Sequence, residues 1–353
     1  MSDRRVIDNI QILRGLVALL VVLCHTVYST WVSDPRFTLG GNLDNFGPVG
    51  VDLFFVISGF IIAHTSFVHG QRGPMDFVRQ RLWRVVPLYA LLSAPWVVFA
   101  ALAGPLDGDK LLATLTFWPA TDRISMTYLS VGWTLCFETL FYAAAALCLL
   151  LPGRRIVVGL ILAYLSCWAG AIWTGAPILI FLGNPISGEF LMGVAIAHFA
   201  RRRSPLLGAA ALMIGVTTLV GQLINGYGWI HSAHLVLDGS QSLQRLILWG
   251  IPSAFIVLAA VLMAPWRPVA LAKPLVALGA ASYSLYLVHP LVLFGWETVL
   301  KASPLVLPSP AIYCAGVILS VGAGLLTHRF VEIPLFKLVL WRRQPIPVTA
   351  AAT

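Results

Sequence analysis

Two basic side chains interrupt an otherwise apolar run at Arg14 and His25, in RGLVALLVVLCH. At 3.6 residues per turn, this spacing advances about three turns and returns to within about 20° of the starting face. The two side chains are therefore expected on one stripe of a helix, roughly 16 Å apart along its axis. An imidazole titrates near neutral pH and can serve as a general base, while a guanidinium can hold an anion or a developing oxyanion. Arg81 and Arg84, three residues apart, share a second helix face. Paired guanidiniums grip phosphates, although ordinary loop charge explains such arginines equally well.

Carboxylates are few, and among those in apolar stretches Asp52, Glu138 and Glu189 stand out. Asp52 reads as a helix-start acid favoured by the dipole or as a partner for His25. Glu138 lies near the middle of its run, where an ionisable residue is a functional candidate by default. Glu189 reads first as structural. Ser58 and Gly59 permit a close helix contact. Trp133, Tyr283, Tyr286 and His289 add polar handles to other apolar runs.

The elements that must position these groups are membrane helices. A soluble domain carries about 25% charged residues. This chain of 353 residues has 10%, with 59% hydrophobic residues and mean hydropathy +0.87. Ten apolar runs are long enough to span a bilayer: roughly 7–30, 49–69, 84–104, 128–151, 156–174, 178–200, 206–225, 246–265, 275–299 and 310–337. Strand alternation is absent, so an all-α polytopic bundle is expected. With the amino terminus inside, every Lys and Arg except Arg36, Lys110, Arg123, Arg245 and Lys301 falls on the cytoplasmic side. That is the positive-inside bias, so the net charge of +9 reports topology and not a nucleic-acid partner. The first run lacks a small-residue cleavage site and reads as an uncleaved anchor.

The five cysteines lie within proposed spans without metal-ligand spacing. His231 and His234, in the loop 225–241, are too few for a metal centre. No bound metal is expected, and the role of that loop is open.

RGLVALLVVLCH, GVDLFFVISGF and RQRLWRVVPLY, in this order, resemble the acyltransferase-3 family of integral-membrane O-acyltransferases. Arg14, His25, Asp52, Ser58, Gly59, Arg81, Arg84 and Pro87 match that family's pattern position by position. VGWTLCFETLFY (Trp133, Glu138), ISGEFLMGVAIA (Glu189), SYSLYLVHP (Tyr283, Tyr286, His289) and HRFVEIPLFKL (Glu332) extend the resemblance over essentially the whole chain. It implies one transmembrane domain, residues 1–340, with a short cytoplasmic tail, 341–353. It also implies a multi-pass protein of the bacterial inner membrane, with both termini cytoplasmic.

The activity implied is transfer of an acyl group, acetyl above all, from acyl-CoA to a hydroxyl of a surface or exported polysaccharide. Acyl-CoA is then a co-substrate and no cofactor is held permanently. His25 takes the role of general base, Asp52 or Glu138 orients its ring, and Arg14 serves the donor or the oxyanion. An acyl group carried transiently on His25 is a second route. Arg81, Arg84 and Arg14 bind the donor; Trp133, Tyr283 and His289 are substrate-binding candidates. Two competing readings are a transporter or flippase for a lipid-linked sugar, and an acyltransferase with a lipid or small-metabolite acceptor. Oligomeric state is left open.

Overall fold

The computed structural model describes residues 3–68, 73–151, 155–200, 203–226, 232–263, 269–303 and 307–341. The proposed tail, the loop histidine His231 and several basic loop residues, among them Arg72, Arg154, Arg201, Arg202 and Arg267, lie outside the described residues. The described chain is helical almost throughout, in the order α1 (Asp3–Ser33), α2 (Val49–Ile62), α3 (Pro74–Ala103), α4 (Gly108–Thr116), α5 (Trp133–Cys148), α6 (Arg155–Thr174), α7 (Pro177–Leu182), α8 (Gly188–Phe199) and α9 (Pro205–Ile224). Then follow α10 (Ala233–Leu237), α11 (Ser242–Arg245), α12 (Ile251–Leu262), α13 (Val269–Ala280), α14 (Ser282–Ala302), α15 (Ser309–Thr327) and α16 (Ile333–Trp341). A lipid interior offers no water to unpaired backbone groups, so apolar runs of this length close their hydrogen bonds within helices.

Among the described residues, nine helical segments are long and apolar enough to cross a membrane. A tenth span forms if α13 and α14, bent by 71° where they meet, are counted together. The ten proposed runs each fall on one of these. Large apolar side chains such as Leu102, Leu162, Trp173, Leu206, Ile224 and Ile318 point outward, as a lipid-facing surface requires.

Without a hydrophobic drive between helices in lipid, close packing must come from small residues. α2 lies along α8 through Gly59 and Gly193, where a methyl on either would strike the other helix's backbone, at Phe190 and Val56 respectively. α1 lies along α13 in the same way, with Gly279 against the Gln11 carbonyl and Gly15 against that of Leu275. Both α13 and α14 pack along α1, and at the bend between them Ser282 lies beside Arg14.

Among the described residues, three π-helical turns, Ala63–Val68, Leu246–Gly250 and His328–Glu332, break the regular ladder. Such turns recur near functional groups; the first carries the buried Ser66, the second follows the buried Arg245, and the third carries the half-buried His328 and Glu332 pair. Between α3 and α5, Arg123 bridges Asp107 (2.7 Å) and Asp109 (2.8 Å) and ties down the intervening loop. The Lys110 backbone N–H, capping α4, and Arg123 hold the Asp107 carboxyl below its ordinary pKa.

Candidate active site

α1, α2, α3, α5 and α14 enclose a cavity of about 110 Å³. Its polar lining includes Arg14, Ser58, Arg81, Arg84, Glu138 and Tyr142, with Ser282, Tyr283 and Tyr286 from α14. Three guanidiniums thus face one carboxylate. Arg14 is buried, and its hydrogen bonds go to neutral groups: Ser282 Oγ at 2.9 Å and Gln11 Oε1 at 3.4 Å. No carboxylate among the described residues lies within ion-pair distance of it. Arg84 is exposed and makes no hydrogen bond or ion pair among the described residues. Arg81 donates to Thr65 Oγ1 (3.2 Å) and lies over the rings of Phe77 and Tyr142.

Glu138 accepts from Tyr142 (2.5 Å) and Ser58 (3.1 Å). It belongs to the arginine cavity and makes no hydrogen bond to His25. Tyr142 is one helical turn beyond Glu138 on the same face, the spacing that could have flagged it. Tyr283 lines the cavity and donates to the Val85 carbonyl (2.7 Å).

His25 lies beyond this cavity, on the same helix as Arg14. The group within hydrogen-bond reach is an imidazole: His289 Nε2 is 3.2 Å from His25 Nδ1, with ring centroids 4.9 Å apart. The carbonyl of Leu285, 3.1 Å from His289 Nδ1, can only accept, so with both rings neutral that nitrogen carries the hydrogen. His289 Nε2 is left with a lone pair. The hydrogen on His25 Nδ1 is then shared between that lone pair and the Val21 carbonyl (3.0 Å). It follows that His25 Nε2 bears a lone pair. His289 is fully buried while His25 keeps open surface.

The expectation that Asp52 partners His25 is corrected. Asp52 is fully buried and takes a two-pronged bond from Arg245, Nε to Oδ1 at 2.9 Å and Nη2 to Oδ2 at 2.8 Å. Arg245 also donates to the Pro48 carbonyl and lies over the rings of Trp249 and Trp133. Arg245, counted on the outer side by the charge distribution, is wholly buried within the bundle. A guanidinium at the edge of an apolar run gains more from a desolvated carboxylate on a neighbouring helix than the charge-side rule weighs. No local signal links two residues so far apart in sequence.

Trp133 packs edge-on against Phe55 and Phe137 and is outside the cavity lining. Glu189 is fully buried and packs against Gly250, at the end of the π turn that follows Arg245. Glu332 accepts from Ser284 (2.5 Å) and pairs with His328 (2.8 Å).

The sequence profile of the acyltransferase domain, of the acyltransferase-3 type, matches residues 7–329. The exopolysaccharide production protein ExoZ of Rhizobium meliloti (strain 1021) is 32% identical over 312 residues, covering 84% of this chain and 92% of its own. The putative membrane-bound transacylase BcsY of Komagataeibacter xylinus is 28% identical, over 82% of this chain and 72% of its own. The acyltransferase MdmB of Streptomyces mycarofaciens is 25% identical, over 95% and 92%. No solved structure gives a significant match.

Proposed function

The chain belongs to the acyltransferase-3 family, and on that premise we propose that it moves an acyl group from cytoplasmic acyl-CoA to a hydroxyl of an extracytoplasmic carbohydrate. An exported polysaccharide is the acceptor that the likeness to an exopolysaccharide production protein supports. The protein then sits in a bacterial inner membrane with both termini in the cytoplasm, as the distribution of Lys and Arg favours.

The observation that carries the reading is the buried Arg14, lacking a carboxylate partner, in a cavity with two more guanidiniums. A desolvated guanidinium hydrogen-bonded only to neutral groups, beside two more cations and a single carboxylate, is costly, and an arriving phosphate relieves it. The diphosphate of the donor is held by Arg81 and Arg84, with Arg14 deeper.

Arg14 and His25 are separated by roughly 16 Å of helix. The arm of CoA between diphosphate and sulfur has roughly twelve bonds, the reach of about four extended residues or roughly 14 Å. Phosphates among the arginines therefore bring the thioester near His25. The same distance assigns Arg14 to the donor and not to the oxyanion.

The acceptor hydroxyl attacks the thioester carbonyl carbon while His25 Nε2 takes its proton. The carbon–sulfur bond then breaks, and that proton passes to the departing thiolate. His289 holds the His25 ring and favours the tautomer with a free Nε2. Mass analysis of exported glycans tests the proposal. Cells with the protein should yield glycans heavier by the mass of an acyl group than cells without it; identical glycans would overturn it.

A further inference from the structure

We infer that Phe54 sets the length of acyl group the protein transfers, admitting a two-carbon group and excluding longer chains. The inference rests on the acyl-CoA reading above. Phe54 lines the cavity, and its side chain also packs against the buried cluster of Ala18, Val22, Leu278 and Leu285. On α1, Ala18 and Val22 occupy the turns between Arg14 and His25, so that cluster flanks the stripe joining the arginine to the histidine. The Phe54 ring meets Tyr286 edge-on, with centroids 6.2 Å apart, and the Tyr286 ring is in turn 6.1 Å from that of His289. Phe54 and Tyr286 are therefore the wall between the donor cavity and the histidine pair.

The two halves of this wall differ in freedom. The Tyr286 hydroxyl donates to the Val131 carbonyl and lies 3.1 Å from Thr134 Oγ1, which pins the ring. Phe54 has no polar tether and is half-buried, with surface open to the cavity. A thioester reaching His25 must bring its acyl chain alongside this ring. Each added methylene then competes with Phe54 for the space beside Tyr286 and that cluster.

The test uses the purified full chain in lipid nanodiscs, with acetyl-, butyryl- and hexanoyl-CoA and an acceptor glycan. The wild type should favour acetyl over butyryl in kcat/KM by about tenfold or more. Phe54→Ala should raise the butyryl-to-acetyl ratio by about tenfold, and Phe54→Leu should move it the same way by less. The leucine variant carries the test if the alanine variant does not accumulate. A ratio is read because general damage to the fold lowers both rates together. Equal use of butyryl and acetyl by the wild type, or an unchanged ratio in the variants, would overturn the assignment while leaving the acyl-CoA reading intact. Turnover of no CoA thioester by the wild type would overturn that reading, and this inference with it.

Discussion

At His25 the nitrogen left free is decided by neighbours that the local sequence does not name. The Val21 carbonyl and His289 occupy one side of the ring and leave Nε2 with the free lone pair that the proposed base requires. His25→Ala should lower acyl transfer about 10²–10⁴-fold while the protein still accumulates in the membrane. His289→Ala should cost less, and His289→Gln less again, because an amide oxygen can still accept from Nδ1–H. Steady-state rates on the purified variants check that order. Arg81→Ala combined with Arg84→Ala should raise the acyl-CoA concentration needed for half-maximal rate more than it lowers kcat. An unchanged donor dependence would leave the pair a topology signal alone. The Arg14 and His25 stripe was legible because helical period is a local property. The imidazole partner was not, since His289 was visible only as a polar handle in another span.

At the scale of elements, apolar run length predicted the helices and small residues predicted where two of them touch. Gly59 was readable as a close contact; its counterpart Gly193 became visible only once α2 and α8 were seen together. Leucine at either position should push α2 off α8 and disturb the cavity wall that α2 supplies, lowering both melting temperature and activity. The Asp52–Arg245 pair ties the start of α2 to the end of α11. Removing one partner leaves a buried charge uncompensated, so Asp52→Leu or Arg245→Met alone should cost about 3–5 kcal/mol. The double change should recover much of that loss, and a thermal-unfolding series on the four proteins reads the difference. The charge-side rule missed this pair because it counts cations by loop and has no term for a carboxylate across the bundle. The bend between α13 and α14 was equally hidden. No proline marks it at Ala281.

Over the molecule as a whole, the guanidiniums of Arg14, Arg81 and Arg84 line a cavity between α1, α2, α3, α5 and α14, and the histidine pair lies further along α1. On the proposed reading the cavity takes a phosphate-rich donor and the histidine pair meets an alcohol. A carrier that only moved a sugar would need the histidines for no chemistry. The most direct measurement gives purified protein acetyl-CoA labelled in the acetyl group, together with an exported polysaccharide. The account predicts label in an alkali-labile ester on the glycan, one free thiol released per ester formed, and neither product from a folded His25→Ala variant. Full transfer by that variant, or label remaining on CoA with wild-type protein, would contradict it.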